Sequence, residues 1–591
     1  MNFVAFREII SNFLIILDFV EKKNKIKYFI LQVHIFFSSI LETLSIFSII
    51  PLIHSFDKNS NNVLLNYLKN FFDERFLSTT SLIIFFCTFL ILSNLYLILI
   101  KKKIIDFGYT LMLDLQKKLF KKIIHNKYEF FINKDISHFN NLILHETQRV
   151  KGGFIESSLF IFSQILLVTF TLVGLIIYDF KVTMLIILTL LVFYFVYLLL
   201  VSNKILNVSK LNTKFKKETI KYLNDIFSVI KTLVFKRNKI KFYEKLENIL
   251  IQNYKANRFE QIIGTIIKNS FEIYFLIIVI FFIFLTKNSI QMSSLLSYSV
   301  FAFASYKIIP SFHLIYSQLI AFLGSSNPLK LIVSELTNKK LYSEINKEYP
   351  SLNQLELNNV SFSYDKNKNV LNNVNYKLIH NEIIGICGKS GSGKTTFIDL
   401  ISGLIDPGSG KILINDKEFD NASEILIYNS AYCSQKTILI DDTIKNNICL
   451  ETNDNTNEDL LHEAIKIAEL EEFIQNCKNG INTIIGEDGI RVSGGEAQRL
   501  NIARTFYLNR KLIFLDESLN NLDMVSSKKI LDNMSQSKET RTIFFITHDL
   551  RLLSGLEKIL VFNDGNIVQS GSFSELKKTS SLFLELLSNE N

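Results

Sequence analysis

The chain has 591 residues, 48% of them hydrophobic, and a formal net charge of +9. That length is more than one ordinary domain needs, and the apolar residues gather before about residue 325, so a membrane half is joined to a soluble half. The five cysteines, Cys87, Cys387, Cys433, Cys449 and Cys477, form no C-x-x-C pair, which excludes a disulfide framework and a cysteine zinc site.

Residues 1–25 join an apolar stretch to Glu21-Lys22-Lys23. The positive charge mostly follows the apolar part and no small-residue cleavage site is present. An amphipathic helix at the membrane surface fits better than a secretory signal. Six stretches then reach the roughly 20 residues needed to cross a bilayer. They lie near 28–53, 82–100, 154–178, 182–201, 262–285 and 295–323, the third and fourth separated only by Asp179-Phe180-Lys181.

Lysine and arginine set the orientation. The segment between spans 2 and 3 carries Lys101, Lys102, Lys103, Lys117, Lys118, Lys121, Lys122, Lys127, Lys134, Arg149 and Lys151, and the segment between spans 4 and 5 is similarly basic. The positive-inside rule puts both segments and both termini in the cytoplasm. The basic balance therefore reports topology and anionic lipid, not nucleic acid. Residues 101–127 and 204–258 read as helical continuations of the spans, with apolar tips at 135–139 and 226–232 that need a partner to bury them. Residues 63–72 read as a short amphipathic helix in the first external loop.

Ionisable groups inside spans are costly. Glu42, Lys268, Glu272 and Lys307 qualify. Lys268 and Glu272 are four apart, so they either neutralise each other or face a ligand. Lys307 has no carboxylate within four residues, which leaves a cavity-facing role or snorkelling to the surface.

Residues 326–352 turn polar and read as a linker. From residue 353 to 591, short apolar strands alternate with helical stretches, the pattern of one α/β domain. Its leading motif is Gly388, Lys389, Ser390, Gly391, Ser392, Gly393, Lys394, Thr395 and Thr396, a full match to G-x-x-x-x-G-K-[ST] between a strand at 383–387 and a helix at 396–401. Such a loop wraps phosphates with backbone N–H groups, Lys394 reaches the β- and γ-phosphates, and Thr395 holds Mg²⁺. Further on, Leu512-Ile-Phe-Leu ends in Asp516 and Glu517, suited to the Mg²⁺ shell and to polarising the attacking water. Ser493, Gly494, Gly495 and Glu496 open a helix from about residue 497, another N-terminus suited to phosphate. Gln435 follows a strand expected at 425–433, and His548 follows one expected at 542–547. Either alone reads equally as an ordinary polar residue at a strand end.

Taken in order, these motifs resemble an ABC transporter of the exporter type, across essentially the whole chain. The resemblance implies an α-helical membrane domain (1–325) with six transmembrane helices and cytoplasmic extensions, followed by an α/β P-loop ATPase domain (353–591). It implies ATP and Mg²⁺ as ligands, Tyr364 stacking on adenine, and Gln435 beside Thr395 and Asp516 at the metal. Glu517 and His548 are then the catalytic pair. Residues 483–489 fall where such exporters meet their coupling helices, which sit at the two apolar tips. The signature departs from the family with Val492 for Leu and Glu496 for Gln, and Asn520-Asn521 replaces a small pair. Such half-transporters work as dimers, with each ATP held between the phosphate loop of one copy and the signature of the other, and both half-sites here look competent. A homodimer in the cytoplasmic (inner) membrane is the simplest expectation.

Within the exporters, residues 41–51 and 306–311 resemble bacterial lipid-linked oligosaccharide flippases. The expected cargo is then a polyprenyl-pyrophosphate-linked glycan met by Lys307 and Lys268. An exporter of drugs, peptides or simple lipids is the alternative, and a nucleotide-gated regulator or channel is a third. No peptidase domain precedes the first span, which counts against an exporter that processes leader peptides.

Overall fold

The computed structural model describes residues 11, 22–54, 78–132, 136–236, 239–285, 292–337, 349–364, 369–378, 381–450, 456–486, 492–520, 522–536 and 541–588. The chain divides into two compact units, Met1–His125 with Lys134–Lys339, and Asn126–Asn133 with Lys340–Asn591. The expected surface helix in residues 1–25 falls almost wholly outside the described residues. So do the external helix at 63–72, Asp135, 487–489, Asn521 and the side chain of Lys268.

Among the described residues the first unit contains helices only. Lys22–Phe47 packs against Thr79–Ile124 and Ser157–Tyr178, Met292–Gly324 packs against Ser157–Tyr178, and Phe180–Ser228 packs against Ile240–Leu285. By length and apolarity Lys22–Ile53, Thr79–Ile124 and His138–Tyr178 could each cross a membrane. Ser299–Gly324 and Ser326–Thr337, bent by 41° at their junction, could form a fourth span. The stretches at 182–201 and 262–285 fall in the helices Phe180–Ser228 and Ile240–Leu285, where many side chains lie outside the described residues. Asp179 makes the turn between two of these helices, accepting hydrogen bonds from the backbone of Lys181 and Val182 as an N-cap. Thr79–Ile124 runs unbroken for 46 residues, about 69 Å at the α-helical rise. The lysine run at 101–103 therefore does not end the helix.

Two expectations change. Residues 326–337, expected as irregular polar chain within the linker, form a helix, because Pro328, Leu329, Ile332, Val333 and Leu336 fall on one buried stripe. Residues 422–429 are also a helix, with Ile425, Leu426 and Asn429 buried, and the strand before Gln435 is only Ser430–Cys433. Short apolar runs do not separate the two periods, and here the helix won.

The second unit is built on β1 (Leu355–Phe362), β2 (Leu371–Leu378), β3 (Ile383–Gly388), β4 (Ser409–Ile414), β5 (Lys417–Glu418), β6 (Ser430–Cys433), β7 (Asp442–Thr443), β8 (Ile484–Ile485), β9 (Leu512–Asp516), β10 (Thr542–Ile546), β11 (Lys558–Asn563) and β12 (Asn566–Gly571). An antiparallel sheet has the order β2-β1-β4-β5, and a six-stranded sheet has the order β12-β11-β3-β10-β9-β6. In the larger sheet every pair but β11–β12 is parallel. Its inner strands β9 and β10 are buried at every position because both faces are covered. Ile543 and Phe545 enter one core while Phe544 and Ile546 enter the other, as the two-residue period requires. Phe514 stacks on Phe544 across the β9–β10 pair, ring centroids 5.2 Å apart.

The short helix Glu129–Ile132 belongs to this second unit although its sequence lies among the helices of the first. Lys127 Nζ lies 2.6 Å from Asp406 Oδ2, and the Asp406 N–H donates to Glu129 Oε1 at 3.1 Å. A single aspartate thus takes both a cation and an anion from one three-residue stretch, Lys127 to Glu129.

Candidate functional site

Four neighbouring parallel strands, β3, β10, β9 and β6, end level with one another: Ile546 pairs with Ile386 and with Asp516, and Cys433 with Leu515. The residues that follow these strands are the phosphate loop, His548, Glu517 and Gln435. Open α/β sheets bind ligands beyond the carboxyl ends of their strands, so chain topology alone gathers these side chains.

The loop from Gly388 to Thr396 has the backbone its glycines permit. Gly388, Gly391 and Gly393 take φ of +150°, +76° and +99°. A Cβ at Gly388 would lie 2.3 Å from the Phe562 carbonyl oxygen, and at Gly391 nothing lies within 4 Å, which leaves the loop open on that side. Lys394 is buried at the start of the helix Lys394–Ile401, and its ammonium donates to the Gly388 and Lys389 carbonyls at 2.9 and 3.0 Å. Burial pulls its pKa down, against the opposing charges of Glu517, Cys387 and Asp516. Ser392 Oγ is buried without a hydrogen-bond partner in the structure. A cation held only by carbonyls and an orphaned hydroxyl in one cradle are what an incoming phosphate would satisfy. Gly388→Ala is expected to lose nucleotide retention in a filter-binding assay and to lower stability by about 1–3 kcal/mol through overpacking.

Thr395 Oγ1 donates to Asp516 Oδ1 at 3.4 Å. This pair of oxygens suits a hard cation, which takes oxygen ligands. Among the described residues no group of three His, Cys, Asp or Glu side chains could hold a metal. A Mg²⁺ here would thus complete its shell with phosphate and water. Tyr432, on β6, donates from its hydroxyl to Asp516 Oδ2 at 3.1 Å. Burial raises the Asp516 pKa. Burial and the nearby Asp516 charge push Asp399, on the helix of the phosphate loop, up to about 6.

Glu517 takes φ of +50°, a left-handed conformation uncommon outside glycine and frequent at functional sites. Its backbone N–H donates to the Ile546 carbonyl at 3.2 Å, which pins it to β10. Gln435 Nε2 donates to Glu517 Oε2 at 2.6 Å, and His548 Nε2 lies 2.8 Å from Oε1. Asn520 Nδ2 adds a donor to Oε2 at 3.3 Å. Gln435 therefore engages the carboxylate of Glu517 and makes no hydrogen bond to Thr395 or Asp516.

Tyr364 is half exposed, its ring edge-on to Phe362 and its hydroxyl 3.4 Å from Thr396 Oγ1.

Ser493 caps the helix Gly494–Tyr507. Its Oγ accepts from the Glu496 N–H, and Glu496 Oε2 accepts from the Ser493 N–H at 2.7 Å, a complete capping box. Glutamate thus has a structural task at the position where the family carries glutamine. Ser493 and Gly494 are exposed, and among the described residues no hydrogen bond joins 493–496 to the phosphate loop. The same helix holds the segment carrying Gln435: Asn501 donates to the Ser434 carbonyl at 3.1 Å, and Arg504 donates to the carbonyls of Asn447 and Ile438 at 2.8 and 3.2 Å.

The sequence reading missed Asp399 and Tyr432, and singled out Asn520 only as a departure from the family. Ser493-Gly-Gly-Glu496 does spell a capping box, so the double use of Glu496 was open to inspection. The partner of Lys307 was not. Its Nζ lies 3.1 Å from Glu42 Oε1, two side chains 21% and 6% exposed and 265 residues apart in sequence. The cation expected to stand alone in the membrane half is therefore paired.

A family model described as "ABC transporter transmembrane region" matches residues 28–313, and one described as "ABC transporter" matches residues 371–520. An ATP-dependent lipid A-core flippase of Desulfotalea psychrophila is 36% identical over 230 residues, 39% of this chain and 40% of the relative. A candidate multidrug export ATP-binding/permease protein of Bacillus subtilis is 36% identical over 239 residues, 40% of this chain and 41% of the relative. The chain thus spans about two fifths of the length of the curated relatives it matches. The solved structure of a bacterial Atm1-family ABC exporter with ATP bound superposes with a TM-score of 0.76 at 18% identity, covering 100% of this chain and 99% of that one.

Proposed function

Because this chain belongs to the ABC transporters, as an exporter-type half-transporter with its membrane region ahead of its ATP-binding domain, we propose that it hydrolyses ATP to move an amphiphilic lipid cargo across the cytoplasmic membrane. The observation that carries the reading is the gathering of Lys394, Asp516, Glu517, Gln435 and His548 at the ends of four adjacent strands. Glu517 accepts the proton of the attacking water, and His548 orients it. Lys394 draws the β- and γ-phosphates into the loop, and Tyr364 holds the base. Mg²⁺, on Thr395 and Asp516, would neutralise charge between the phosphates.

Two copies complete two sites, since Ser493 and its helix N-terminus have no phosphate to meet in their own chain. We take the membrane half to have six spans, with both long basic segments and the ATPase domain cytoplasmic. Its boundary we place after the helix Ser326–Thr337, ahead of an ATPase domain from about residue 353. Relatives named as lipid A-core flippases support a lipid cargo, and one named as a multidrug exporter keeps the drug alternative open. A polyprenyl-pyrophosphate-linked glycan is our specific proposal within that class.

The test is transport in proteoliposomes with fluorescent lipid cargoes. A pyrophosphate-linked glycolipid should become accessible on the far leaflet only with hydrolysable ATP, and should raise ATP turnover. Transport of a cationic drug with no response to the glycolipid would overturn the cargo.

A further inference from the structure

We propose that the cleft between the helices Lys22–Phe47 and Thr79–Ile124 binds one anionic phospholipid, with its phosphate between Lys27 and Lys103 and an acyl chain along Ile30, Val33 and Leu99. The site rests on the membrane reading of these helices and not on the identity of the cargo.

The two helices run antiparallel, which the contacts between them fix. Asn24 donates to Asp114, Tyr28 packs on Phe107 with ring centroids 5.9 Å apart, and His34 Nδ1 lies 3.0 Å from the Tyr96 hydroxyl. Climbing one helix means descending the other. These contacts set the basic start of the first helix level with residues beyond Phe107 on the second, and set the Lys101–Lys102–Lys103 run, where the apolar part of the second helix ends, level with the turn after Tyr28, so that Lys27 and Lys103 reach one cleft. That border between apolar and basic surface is the depth of lipid phosphates on the inner leaflet.

At this depth the helices part around a cavity of about 250 Å³. Lys27 and Lys103 line it from opposite walls, with Ile30, Leu31 and Phe107 as its apolar floor. Both lysines are exposed, and among the described residues neither forms an ion pair. Asp106 offsets one positive charge on the rim, and Lys101 and Lys102 on the adjoining turn keep the mouth cationic. Above the cavity Val33 on one helix, and Leu95, Ile98 and Leu99 on the other, are exposed. A ligand that fits must be anionic at one end and apolar at the other. Basic pockets between transmembrane helices on the cytoplasmic side bind acidic headgroups in this way. Soluble anions match only half of the surface.

The experiment titrates the full-length, detergent-solubilised protein with phosphatidylglycerol, phosphatidylcholine or phosphatidylethanolamine and counts bound lipids by native mass spectrometry. Wild type is expected to retain one phosphatidylglycerol with a Kd about 30-fold below that of Lys27→Ala/Lys103→Ala, about five-fold for each lysine. Lys27→Arg/Lys103→Arg should keep the tight binding and Asp106→Asn should strengthen it. Unchanged binding in the double alanine variant, with the arginine variant confirming the fold, would overturn the site. So would equal affinity for either zwitterionic lipid, or displacement of phosphatidylglycerol by inorganic phosphate.

Discussion

Glu517→Gln is expected to slow ATP turnover by about 10²–10⁴-fold, the usual contribution of a general base, while nucleotide binding persists. The amide keeps the size and most hydrogen-bonding capacity of the carboxylate, so Gln435 and Asn520 can still donate to it. Only the proton-accepting charge disappears. Single-turnover measurement with labelled ATP separates the two effects, since trapped nucleotide should accumulate as hydrolysis stalls. Unchanged turnover would remove Glu517 from the chemistry. It would also favour the reading in which the nucleotide site is a switch and not an engine.

Lys307→Ala is expected to destabilise the membrane unit by about 3–5 kcal/mol, the cost of leaving a buried partner charge unpaired. Glu42 is the reason: its carboxylate is almost fully buried and Lys307 is the cation bonded to it. A loss of transport in this variant would therefore say nothing about phosphate recognition. The double variant Glu42→Gln/Lys307→Met removes both charges at similar volume and is expected to recover most of the lost stability. Thermal unfolding of wild type, Glu42→Gln, Lys307→Met and the double variant measures the pair. If the double variant also loses glycolipid-stimulated turnover while folding normally, Lys307 contacts cargo. If it keeps that response, the pair is a structural clamp between two spans.

The nucleotide site was largely legible because its residues come in short strings whose spacing is chemical: a glycine loop ahead of Lys394-Thr395, and a strand ending in Asp516-Glu517. What sequence withholds is pairing across the chain. Nothing local links Glu42 to Lys307 or Tyr432 to Asp516, and the shared use of Asp406 by Lys127 and Glu129 follows only once the chain has folded. The stripe of 326–337 could have been read as helical, but the surrounding polar residues weighted it toward linker. Residues 425–428 misled for the opposite reason, since a run of four apolar residues carries no period of its own. The expected coupling tip at 135–139 is placed by resemblance; the structure puts a four-residue helix just before it, Glu129–Ile132, in the ATPase unit.

Asn501 and Arg504 tie the signature helix to the strand-end segment that holds Gln435, and Gln435 in turn holds Glu517. Whatever pulls on Ser493 at the front of that helix therefore also loads the carboxylate of its own chain. In the dimer we propose, the ATP that touches Ser493 would belong to the other copy's phosphate loop. Each nucleotide would then set the readiness of the site across from it. Thermodynamic linkage makes that influence equal in both directions, so the two sites would bind cooperatively rather than as two independent motors.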